Sequence, residues 1–103
     1  MAVFSTATAQ RANWKEALEC YQEDSLTCAA EKIDLAIQDT NEAKSSYTWH
    51  LRAFIYRDIF KKSTSQTDRE LARKKSVEAF TTSLSLDKTG ELKTNNIKGL
   101  EFI

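Results

Sequence analysis

WHLRAFIYRDIF (residues 49–60) and SVEAFTTSLSLD (residues 76–87) decide how this chain folds. Trp49, Ala53, Tyr56 and Phe60 recur at the spacing of one helix face, and Leu51, Ile55 and Ile59 make a second apolar stripe on the same helix. A helix apolar over so wide an arc has to be covered on both flanks. Ser76, Phe80 and Ser83 repeat the helical spacing further on. The two segments therefore read as one helix–turn–helix unit.

Working outward, this unit's first helix is expected over Tyr47 to Lys62. Ser46 is its expected cap, because a serine hydroxyl accepts a free backbone N–H at a helix start. Lys61 to Gln66 reads as a loop. Thr67-Asp68-Arg69-Glu70 fits a capping box. It opens a helix that runs to about Leu86 and is ended by Lys88-Thr89-Gly90. Upstream, residues 11–22 read as a first helix with Trp14, Leu18 and Tyr21 as its stripe and Ala17 and Cys20 beside it. Glu23-Asp24-Ser25 is a polar break in which Asp24 or Ser25 can cap the next helix. That helix is expected over 26–39, with Leu26, Ala29, Ala30, Ile33, Ala36 and Ile37 on one face. Thr40 to Ser46 reads as a polar turn. Downstream, Thr94 to Ile103 begins a fifth helix with Ile97, Leu100 and Ile103 at spacing three. Its apolar face is left for the fourth helix, or another copy, to cover.

Residues 1–10, MAVFSTATAQ, differ from the rest. Ala7-Thr8-Ala9 before polar Gln10 resembles the end of an export signal; a frayed helix start is the alternative. The first reading puts the protein outside the cytoplasm, the second inside it. No run of ~20 apolar residues marks a membrane span.

Composition limits the function classes. A chain of 103 residues with ten aromatics, two glycines and no proline suits one all-α domain. Fifteen basic against fifteen acidic residues argue against a nucleic-acid or membrane-surface partner. The balance is uneven along the chain. Residues 1–51 hold 4 Lys/Arg and 8 Asp/Glu, and residues 52–103 hold 11 and 7. This is chance segregation on solvated faces or a means of steering copies together. Two cysteines and one histidine are too few for a Cys/His metal site, and no cofactor is expected. His50 stands between Trp49 and Leu51, with no nucleophile at a useful spacing. Gly90 and Gly99 stand apart, so no phosphate loop is present. Lys61-Lys62 and Arg73-Lys74-Lys75 read as solvated surface. No catalytic residues are expected, and the chain does not read as an enzyme.

Laid over each other, the two halves repeat. Ala17 aligns with Ala53 and Cys20 with Tyr56, both 36 residues apart. Ala29, Ile33 and Ala36 align with Ser76, Phe80 and Ser83, each 47 apart. The difference is an insertion around Lys61 to Glu70. Such a period belongs to stacked helical hairpins.

These residues resemble the tetratricopeptide repeat family, whose pattern is Trp, Leu-Gly and Tyr on one helix and Ala, aromatic, Ala on the next. Trp49, Ala53 and Tyr56 fill the first three slots other than Leu. Ser76, Phe80 and Ser83 fill the last three, and Asp87 matches the acidic residue that closes the unit. Arg52 stands where Leu is usual and Lys88 where Pro is usual. Asn13, Glu16 and Cys20 replace Trp, Leu and Tyr in the first half. An ordinary helical bundle shares the same periodicity.

The resemblance implies antiparallel hairpins stacked as a short right-handed solenoid of about five helices. Its units would span about 11–42 and 46–88, with part of a third at 94–103. It also implies a non-enzymatic scaffold or adaptor that takes a protein or peptide segment in a concave groove. The first helix of each unit lines that groove in the family. Here those helices would present Trp14, Leu18 and Tyr21, then His50, Phe54 and Arg57, both sets at spacing i, i+4, i+7. The alternative for these six is core contact with a neighbouring repeat. The alternative function is a self-associating assembly domain whose groove or C-terminal edge is filled by another copy. Cys20 reads as core, or as bonded to Cys28 across the first hairpin if the protein is exported.

Overall fold

The structure, a computed structural model, describes residues 12–103. The export-signal and frayed-helix readings of residues 1–10 lie outside the described residues. Five α-helices account for the fold, and no strand occurs among the described residues. They are α1 (Asn13–Gln22), α2 (Leu26–Ala36), α3 (Ser46–Lys62), α4 (Gln66–Leu86) and α5 (Lys93–Glu101). A short 3₁₀ turn, Glu42–Lys44, precedes α3. The all-helical class follows from the helical periodicity and the lack of proline. No helix among the described residues is long and apolar enough to cross a membrane.

Helices adjacent in sequence are adjacent in space. The most extensive packing is α3 on α4, followed by α1 on α2 and α2 on α3. Three-residue links make each of the first two pairs a hairpin, since so short a link leaves only antiparallel packing. Small residues set how closely the helices approach. Ala17, Ala29, Ile33 and Ala36 are fully buried in the first half, as are Ala53, Ser76, Phe80 and Ser83 in the second. The two serines also bond across the interface. Ser76 Oγ donates to Ala53 O at 2.8 Å, and Ser83 Oγ donates to Ser46 O at 2.9 Å. Alanine would fit those positions but would leave these α3 carbonyls without the extra bond.

Helix α3 is buried on both flanks, as its two stripes require. Ile55 and Tyr56 belong to one core with residues of α1, α2 and Ala72. Ala53 belongs to a second core with Ala79 and Phe80, against which Trp49, Phe54 and Leu100 pack. Arg52 lies among these apolar residues and is only 5% exposed. Its Nε meets Asp34 Oδ1 and its Nη1 meets Glu78 Oε1, each at 3.2 Å.

Several local details differ from the sequence expectation. The second helix ends at Ala36 rather than near residue 39. Asp39 Oδ1 accepts the N–H groups of Asn41 and Glu42, which holds the chain in a turn. Helix α3 starts at Ser46, with Ser45 as its cap position and no side-chain cap bond. The capping box at Thr67 does not form. Ser65 caps α4 instead, its Oγ accepting from Asp68 N–H at 3.4 Å. The inserted residues are therefore mostly helix, because α3 runs to Lys62 and α4 begins at Gln66. Arg69 closes the link between them. Its Nη1 donates to the carbonyls of Phe60 and Ser63, and its guanidinium lies 4.3 Å from the Phe60 ring centre.

Helix α5 packs with only part of the expected face: Leu100 meets the second core, but Ile97 does not turn inward. Leu92, Asn96 and Gly99 are buried, Ile97 is 39% exposed and Phe102 is 72% exposed. Gly99 explains the choice. A Cβ there would lie 2.2 Å from Phe80 Cζ, so only glycine lets the α5 backbone rest on that ring.

Cys20 and Cys28 form a disulfide with Cα atoms 5.7 Å apart, tying α1 to α2. Closing a loop this short restricts the unfolded chain by roughly 2–3 kcal/mol. Urea unfolding with and without a dithiol reductant should differ by that amount. Coincident curves would show that the link contributes nothing to stability.

Candidate functional site

A cavity of about 240 Å³ lies between α1 and α3 and opens to the surface. It is lined by Trp14, Leu18 and Tyr21 from α1 and by Tyr47, His50, Leu51 and Phe54 from α3. Both sets follow from helical spacing, because residues three and four apart share one face. Five of the groove residues read from the sequence thus border one space. Arg57 does not. Its guanidinium lies over the Phe54 ring at 4.7 Å. Tyr47 and Leu51 are lining residues that the spacing i, i+4, i+7 omits. Leu51 had a signal in the second apolar stripe of α3, whereas Tyr47 belonged to neither stripe.

Neighbouring groups fix the walls of the cavity. Glu42 caps the start of α1, its Oε1 accepting from Trp14 N–H at 2.9 Å and its Oε2 from Asn13 N–H at 3.3 Å. At the other end, Tyr21 donates its hydroxyl to Asp58 Oδ2 at 2.7 Å. Partial burial, then that hydrogen bond, push the Tyr21 phenol up to about 12, so it remains a protonated donor at neutral pH. The hydrogen bond to Glu91, more than burial, raises the Tyr47 phenol. Between these ends the lining is apolar and aromatic, and it includes no Asp, Glu, Lys or Arg.

His50 is the one imidazole in the wall. Its ring meets Phe54 edge-on with centroids 4.9 Å apart, and Phe54 meets Phe80 the same way at 5.1 Å. Its Nδ1 is 2.7 Å from Asn96 Oδ1 of α5. The polar residue that orients His50 is therefore on another helix, 46 residues away. No cluster of three His, Cys, Asp or Glu residues among the described residues is placed to hold a metal ion.

The walls supply contact area and few polar atoms, and that combination is typical of binding anchors. Comparison with protein-family models, with curated proteins and with solved structures finds no match to this chain.

Proposed function

We propose that this chain is a non-enzymatic interaction module, a short tetratricopeptide-like array of helical hairpins that receives a protein or peptide segment between α1 and α3. The carrying observation is the cavity itself, an aromatic-lined hollow without Asp, Glu, Lys or Arg between α1 and α3, in which Trp14 and Leu18 stand at positions equivalent to His50 and Phe54. Burial of the aligned small residues supports the stacked right-handed solenoid as its framework. A second reading has its own observation. Phe102 and Ile97 leave an apolar edge on α5, which favours self-association there. The disulfide supports an oxidising compartment, because thiols are kept reduced in the cytosol.

Leu18 is the clean test position. It lines the cavity and belongs to neither core cluster, whereas Phe54 also packs on Phe80. Peptides selected from a random library on the wild-type protein serve as probes. Leu18→Asp should weaken them by ~2 kcal/mol or more, as loss of a hot spot does, with the helical circular dichroism spectrum unchanged. Phe102→Asp should leave them bound. The reverse pattern, together with a mass that falls in Phe102→Asp, would move the function to the α5 edge.

A further inference from the structure

We infer that α5 pairs antiparallel with α5 of a second copy of this chain, about a two-fold axis at Ile97, with Lys93 of each copy set against Glu101 of the other. This rests on the reading of α5 as a self-association edge, and the α1–α3 cavity plays no part in it.

Helix α5 has an inner and an outer side. Leu92, Asn96 and Gly99 turn into the protein, and Leu100 packs on the second core. Lys93, Ile97 and Glu101 are exposed. They stand at i, i+4 and i+8, so they form one row along the helix. Rows of this spacing are the ridges that interdigitate when two helices pack. Phe102, five residues past Ile97, stands on the other flank. The inner contacts hold the row in one orientation. Asn96 is bonded to Ser83 and His50, and Gly99 is seated on Phe80. A row held in place by its own fold loses little freedom on pairing.

The row is apolar at its centre and oppositely charged at its ends. Neither Lys93 nor Glu101 makes an ion pair among the described residues. Ile97 is 39% exposed and lies midway between them, four residues from each. That symmetry makes the row complementary to itself. A two-fold axis through Ile97 that reverses the helix direction brings position 93 of one copy beside position 101 of the other, at both ends. Each lysine then meets a glutamate, and Ile97 meets its own copy at the centre, where apolar contact excludes water. A parallel pair would set lysine on lysine and glutamate on glutamate, which repel. The charges therefore select both the partner and its direction. One charge of each sign gives the row no net pull on nucleic acid or an anionic membrane.

Nine residues of helix give a contact roughly 14 Å long. A contact of that size makes a weak, reversible dimer. Sedimentation equilibrium of the full chain from about 10 μM to about 1 mM covers the range in which such dimers form. The wild-type mass should rise toward that of a dimer. Lys93→Glu and Glu101→Lys should each weaken association about tenfold, because each turns two attractions into two repulsions. Added salt should narrow the difference. Both changes suit the helix dipole, so the circular dichroism spectrum should stay helical. The double variant, Lys93→Glu with Glu101→Lys, should regain the wild-type mass, and so should an equal mixture of the two single variants. Single changes that weaken the dimer without rescue in the double variant would refute this register. A dimer that survives both single changes but dissolves in Phe102→Asp would refute it too, while keeping α5 as the self-association edge. A chain that stays monomeric throughout the range would refute both readings.

Discussion

Arg52→Ala is expected to lower the unfolding free energy by about 3 kcal/mol, read from urea unfolding. The guanidinium is held between two rings, 5.6 Å from Trp49 and 5.1 Å from Tyr56. It bridges Asp34 of α2 and Glu78 of α4, and Tyr56 donates to the same Asp34 at 2.5 Å. Three helices therefore meet at one side chain. The carboxylates are themselves partly exposed, 36% for Asp34 and 63% for Glu78, so water takes them back when the cation is removed. That discounts the ionic part of the loss. The remainder is the hole left between the rings. Arg52→Leu should accordingly cost less than Arg52→Ala, because it refills part of that hole while water takes back the two carboxylates. Leucine is also the residue usual at this slot in the repeat family that the sequence resembles. Equal losses for Ala and Leu would show that charge, and not volume, holds the three helices.

Phe80→Ala should cost about 3–5 kcal/mol, the range for emptying a buried aromatic site. Phe80 is fully buried, contacts Phe54 edge-on and carries the α5 backbone at Gly99. Its loss should be felt at the cavity, because α5 brings Asn96 to His50. Gly99→Ala tests the same contact from the other side. Its methyl would meet ring carbons at 2.2 and 2.4 Å, and such overpacking costs roughly 1–3 kcal/mol. Combining Gly99→Ala with Phe80→Leu should cost less than the sum of the two single changes, since each relieves the other. Simple additivity in thermal unfolding would mean that α5 does not rest on this ring.

The sequence by itself determined the helical class, the presence of all five helices and the two-sided burial of α3. These are local properties, carried by apolar spacing over a few turns and by the lack of proline. It also grouped every lining residue of the α1 stripe, together with His50 and Phe54, because side chains at i, i+4 and i+7 share a face wherever the helix is placed. The helix ends were less legible. The capping box expected at Thr67 gives way to Ser65, whose Oγ accepts from Asp68 N–H, while Arg69 reaches the carbonyls of Phe60 and Ser63 across the link. The buried face of α5 was only partly legible. Leu100 packs on the second core as its spacing suggests, yet Asn96 and Gly99 go inside while Ile97 stays exposed. Asparagine is buried there because Ser83 and His50, 13 and 46 residues away, satisfy both ends of its amide. Glycine is buried because the Phe80 ring occupies the space of a Cβ. Periodicity measures only what one helix offers, and these choices depend on what a second helix brings to meet it.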